Sequence, residues 1–233
     1  MRPGVVAVVS VLTSACLLGL APAGSVPLPD RMADTGGGSQ LITAVAPGTG
    51  STTGTLTWWD RRDGHWVPAG SAPARFGAAG LVEGTARKQG TNTTPTGLYD
   101  LPYAFGIEAA PPGTTYAYRP VRQESWWCQD VDSRSYNRWS EPRAADCRAT
   151  EAEHLVTYGS RYAHALVIGY NYRAPVRGRG AGIFLHVNGA GPTAGCVSVP
   201  ADAMRDVLRW AEPGSRPHIA VGTESGDTAI TRY

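Results

Sequence analysis

GIFLHVNGAGPTAGCVSVP, residues 182–200, decides how the chain is read. GIFLHV has the character of a β-strand, interrupted at His186, where the alternation asks for an apolar side chain. Cys196 stands ten positions after His186, preceded by Gly195, with three glycines between the two. So pliable a stretch can return the cysteine to the imidazole. Immediately afterwards, PADAMRDVLRWAEPG (200–214) predicts the one clear helix. Pro200 suits a first helical turn, Asp202 lies near the positive end and Arg209 near the negative end. Met204, Val207 and Leu208 share one face, and Pro213-Gly214 stops the run.

Outward from this segment the texture is that of short strands separated by turns. LTWWDRRDGHWVP (56–68) predicts a hairpin around Asp63-Gly64. GLYDLPYAF (97–105), HALVIGYN (164–171) and PHIAVG (217–222) are further strand candidates. A second helix is expected from Glu151 into Leu155. Residues 24–54 are rich in Gly, Ser, Thr and Pro and read as a flexible arm, with one short ordered piece around Gln40 to Val45. No internal repeat is present. The expected fold is mainly β with one or two short helices, occupying residues 55–233.

The first 23 residues have the form of a signal peptide: Arg2, an apolar run from Val5 to Leu20, and Ala21-Pro22-Ala23 before Gly24. Thr13 stands where a lipobox prefers an aliphatic residue, which argues against lipidation at Cys16. No later run approaches the ~18 apolar residues of a membrane span. Without Arg2 the formal charge falls from +2 to +1, which is no footprint for nucleic acid. Lys88 is the only lysine.

An exported chain keeps three cysteines: Cys128, Cys147 and Cys196. In oxidising surroundings two should pair. Cys128 and Cys147 bracket one loop-like stretch, which would leave Cys196 free; pairings that use Cys196 rest open on sequence alone. A free thiolate is a nucleophile, and a neighbouring imidazole can lower the thiol pKa enough to populate it. Gly195 lets backbone approach an acyl group, and the N–H groups of Gly195 and Cys196 could face an oxyanion. The structural alternative is a buried cysteine and a hydrogen-bonded strand-end histidine. His65, His154, His164 and His218 lack a comparable partner and read as structural. HExxH and G-x-S-x-G are absent, Thr85 precedes Lys88 where a serine would be needed, and no Cys/His spacing suggests zinc. Trp58-Trp59, Trp66 and Trp126-Trp127 read as core or loop anchors more than as a sugar-stacking surface.

PTAGCVSVP resembles the Ser/Thr-x-Gly-Cys signature of L,D-transpeptidases with the YkuD-type catalytic domain, and FLHV resembles their histidine strand. TPTGLYDL (94–101) is similar to the stretch that opens that domain. SYNRW and ALVIGYN…GRGAGIFLHV are similar to secreted actinobacterial members. The resemblance covers about residues 50–222. It implies a YkuD-like β-sandwich whose cysteine attacks the amide after the third residue of a peptidoglycan tetrapeptide stem. Terminal D-alanine leaves, and the acyl group passes to a side-chain amine of another stem. Carried over, Cys196 is the nucleophile and His186 the base, oriented by the Val187 carbonyl, with oxyanion donors from Gly195 and Cys196. Carbapenem β-lactams become acylating ligands, and neither cofactor nor metal is required. The chain departs from the family at Ala194, where many members have His or Lys, and at Ser198, where many have Arg or Asn. Its histidine-to-cysteine interval is also shorter. A carboxypeptidase on the same scaffold and a non-catalytic wall-binding domain are the alternatives. An NlpC/P60-type peptidase is disfavoured because there the cysteine precedes the histidine.

Overall fold

The computed structural model describes residues 26–224 and 226. The expected signal segment, with Cys16, lies outside the described residues. The short ordered piece expected near residue 40 is strand β1 (Gln40–Ala46), and the large sheet therefore begins there. A long hairpin follows, β2 (Thr53–Arg62) and β3 (His65–Arg75). Asp63 and Gly64 make its turn with φ of 50° and 85°, the left-handed pair whose twist suits a two-residue connection. Next come β4 (Leu81–Glu83), β5 (Thr94–Asp100), β6 (Ala104–Gly106) and β7 (Tyr118–Pro120). The chain then leaves the sheet to form β8 (Trp126–Cys128), β9 (Arg138–Ser140) and β10 (Ala152–His154). It returns as β11 (Ala165–Val167), β12 (Phe184–Val187) and β13 (Val197–Val199), passes through α1 (Ala201–Trp210) and ends on β14 (His218–Thr223).

Eleven strands form one mixed sheet in the order β4-β5-β14-β1-β2-β3-β13-β12-β11-β6-β7, and β10-β8-β9 form a separate small sheet. β1 is buried along nearly its whole length, as its apolar run LITAVA requires of a central strand. The large sheet curls on itself, because both its halves supply one core. Ile42, Leu56 and Val221 come from one half, Leu166, Leu185 and Val199 from the other, and Met204, Val207 and Leu208 of α1 join them. The helix is as the sequence indicated, with Pro200 at its N-cap.

The helix expected from Glu151 into Leu155 does not form. The stretch is a 3-10 turn (Ala149–Glu151), strand β10, and a 3-10 segment (Leu155–Tyr162) broken at Gly159. The reason is tertiary: Glu153 and His154 pair with Trp127 and Trp126 of β8, so a ladder replaces the helical hydrogen bonds. Trp58, Trp66 and Trp127 are buried, and Trp126 stacks flat on His154 at 4.1 Å. The tryptophans are thus anchors, as expected. Cys128 and Cys147 form a disulfide across 19 residues, closing the loop that carries β9, and Cys196 is left free.

Candidate active site

β12 and β13 run parallel, with Leu185 opposite Val197 and His186 opposite Ser198. Strand alternation sends Leu185, Val187, Val197 and Val199 into the main core. Phe184 and Cys196 belong to a second core on the other side, shared with Trp127, Leu155 and Tyr162. His186 takes the Phe184 side, edge-on to Tyr162 with ring centroids 5.4 Å apart. The histidine that breaks the apolar pattern therefore emerges on the cysteine's face.

Cys196 is held at several points. Its Sγ accepts the Phe184 N–H at 3.4 Å and donates to the Gly182 carbonyl at 3.3 Å. Its own carbonyl accepts the Thr193 hydroxyl at 2.7 Å, and the Gly195 N–H donates to that same hydroxyl oxygen at 3.1 Å. Gly195 has φ +138°, and a Cβ placed there would meet Arg87 Nη2 at 2.7 Å and the Thr93 carbonyl at 2.9 Å. The buried Arg87 has little room to yield, since its Nε donates to that carbonyl at 2.7 Å. Gly195→Ala is accordingly expected to lower unfolding free energy by about 1–3 kcal/mol, measured by urea titration.

The imidazole is oriented from behind: His186 Nδ1 lies 2.8 Å from the Val187 carbonyl, which can only accept, so Nδ1 carries the proton. Burial pushes His186 down to about 4, with the Val187 hydrogen bond opposing it. Burial, with the Glu153 charge adding, pushes the Cys196 thiol up to about 12, against the Phe184 N–H and Arg87. The resting pair is therefore neutral thiol and neutral imidazole. A thiolate populated by its neighbour, as the sequence suggested, is not the resting state here, because both groups are desolvated together.

A cleft of about 350 Å³ opens over the pair, lined by Glu153, Tyr158, Arg161, Tyr162, His186 and Cys196 and rimmed by residues 189–194. Arg75 ties that rim down through the Gly189 carbonyl at 2.6 Å. Ala194 sits on the rim, while Ser198 is buried and bonded to Asn188 at 2.8 Å. The basic groups near the cysteine are instead Arg161 at the cleft and Arg87 behind Gly195. The remaining histidines lie elsewhere. His154 bonds the Gln123 carbonyl at 2.6 Å, His164 the Tyr118 hydroxyl at 3.1 Å and His218 the Arg216 carbonyl at 2.9 Å, while His65 is exposed on the hairpin.

Sequence reasoning passed over the cleft wall of Glu153, Tyr158, Arg161 and Tyr162, which the excursion through β8–β10 delivers. It also passed over Asn137, within SYNRW. The buried Asn137 Oδ1 accepts Trp127 Nε1 and the Gly182 N–H, each at 3.0 Å, tying the small sheet to the backbone that holds Cys196. Asn137 holds a positive φ of 57°, a conformation in which Asn is enriched, and the residue type is the one signal the sequence offered.

Residues 50–219 match the family model described as YkuD, L,D-transpeptidase catalytic domain. No curated protein matches the chain. Among solved structures, that of Bd1075 from Bdellovibrio bacteriovorus aligns with a TM-score of 0.39 and 16% identity. The alignment covers 84% of this chain and 54% of that one, so the chain spans about half the length of that protein.

Proposed function

The chain belongs to the YkuD family of L,D-transpeptidase catalytic domains, and from that membership we propose that it is an exported peptidoglycan L,D-transpeptidase acting through an acyl-enzyme on Cys196. The observation that carries this reading is the buried pair itself: a free cysteine and a histidine with its Nδ1 fixed on Val187, opening on one cleft. Because thiol and imidazole are both neutral, the proton moves as the bond forms. Cys196 Sγ attacks the carbonyl carbon of the amide after the third stem residue while His186 Nε2 takes the thiol proton. The oxyanion is met by the backbone N–H groups of Cys196 and Gly195, the latter exchanging its bond to Thr193 for the new one. The imidazolium then protonates the departing D-alanine amine, leaving a thioester and a neutral imidazole. An acceptor amine attacks the thioester, His186 takes a proton from it, and the thiol is regenerated. Every proton is accounted for without a cofactor.

The formed disulfide suits an oxidising, extracytoplasmic setting, and no helix among the described residues is long and apolar enough to cross a membrane. The test is to incubate the mature protein with tetrapeptide stems and weigh the products. A cross-linked dimer lacking one D-alanine is the expected product. Trimmed tripeptide with no dimer would replace the transferase reading with a carboxypeptidase one, and unchanged stems would contradict both.

A further inference from the structure

The acyl-transfer steps leave two charged side chains of the cleft, Arg161 and Glu153, without a task, and Glu153 is the one whose charge bears on the nucleophile and can receive a cation. Glu153, in β10, has Oε2 accepting the Tyr162 hydroxyl and Oε1 accepting Gln129 Nε2, both at 2.7 Å. Both donors are neutral, and each carboxylate oxygen retains acceptor capacity. The carboxyl and the nucleophile flank a single glycine. The Gly182 carbonyl takes the Cys196 S–H at 3.3 Å, and a Cβ on Gly182 would lie 3.5 Å from Glu153 Oε1. A carboxylate in a concave, partly desolvated cleft, held by neutral donors beside a reactive sulfur, is a receptor for a positive charge.

We propose that Glu153 is a specificity-determining residue whose carboxylate receives a cationic amine of the substrate next to the reacting acyl group. The proposal rests on the reading of Cys196 as nucleophile. The amine belongs to the acyl donor or to the acceptor, and its chemistry is the same in either. Recognition is coupled to activation: the Glu153 charge is one of the causes that hold the Cys196 thiol protonated, so an ammonium that neutralises it makes the thiol easier to deprotonate.

The groups facing Glu153 set its pH dependence. Tyr158, Arg161 and Tyr162 of the 3-10 segment, Gln129 after β8, and Cys196 surround it. Burial pushes Glu153 up to about 7, opposed by hydrogen bonds from Tyr162 and Gln129 and by the Arg161 charge. Tyr158 and Tyr162 are themselves raised and stay neutral. The receptor is therefore uncharged below about pH 7 and forms as pH rises through it.

The test compares the rates at which three methanethiosulfonates modify Cys196: aminoethyl (cationic), ethyl (neutral) and sulfonatoethyl (anionic), followed by intact mass. At pH 8 the cationic-to-neutral rate ratio is expected to be about fivefold higher in wild type than in Glu153→Gln, the size of one half-solvated charge pair. In wild type alone the ratio is expected to fall as pH drops through about 7, a readout that survives even if the variant folds poorly. A ratio independent of pH and of the substitution overturns the proposal. No modification by any reagent overturns the nucleophile reading instead, so the two failures are distinct. With stem peptides, slower acylation of Glu153→Gln places the amine on the donor, and slower capture of a preformed acyl-enzyme places it on the acceptor.

Discussion

His186→Gln slows acylation of Cys196 by about a hundred- to ten-thousandfold while the fold is retained. Glutamine approximates the reach and volume of the imidazole but carries no basic nitrogen, so the loss isolates the proton acceptor. The size follows from the state of the sulfur. With burial pushing the thiol up to about 12, thiolate is scarce at pH 7 and attack needs a base to take the proton. The pH profile carries the sign. His186 is competent when neutral, and burial holds it down to about 4, so wild-type acylation falls only as pH drops through about 4. An unburied imidazole would lose activity around 6.5. The variant has no such acid limb. Stopped-flow acylation by a chromogenic β-lactam across pH 3–8 makes the comparison, and a His186→Gln rate equal to wild type at neutral pH contradicts the assignment.

Replacing both Cys128 and Cys147 by alanine is expected to lower stability by about 3 kcal/mol in the chain-entropy view. The bridge closes a loop that otherwise depends on a few anchors. Arg148 grips the buried Asp130 through Nε and Nη2 at 2.8 and 2.7 Å, and Trp127 enters the second core. The loss reaches the site because the small sheet is its wall: Trp127 packs edge-on to Phe184 at 4.8 Å, and Glu153 is paired with Trp127 in the ladder. Urea unfolding of the double variant should therefore show a lower midpoint, accompanied by slower acylation. An unchanged midpoint would mean that the small sheet stands without its staple.

Local signals carried part of this structure well. Asp63-Gly64 announced its hairpin because only a short list of residues accepts two successive positive φ values. Met204, Val207 and Leu208 announced the buried face of α1, and His186 betrayed itself by interrupting an apolar alternation. Residues whose place depends on distant partners were not legible. Glu151 to Leu155 has helix-forming composition, but Trp126 and Trp127 claim its middle for a ladder. Glu153 and Tyr162 precede Cys196 by 43 and 34 positions and reach it only because the disulfide-bonded excursion folds over β12. The protonation state of the pair was invisible for the same reason. Proximity of His and Cys argues for a lowered thiol pKa, and joint burial, which is tertiary, reverses it.

Members of this family are acylated by carbapenems, and intact mass of the protein after incubation with one, beside Cys196→Ala, tests the central claim most directly. The wild type should gain the mass of one carbapenem, mapped to the peptide containing Cys196, while the alanine variant gains none. Folded wild-type protein that gains no mass with its Cys128–Cys147 bridge intact, or an alanine variant that gains as much, would contradict the account.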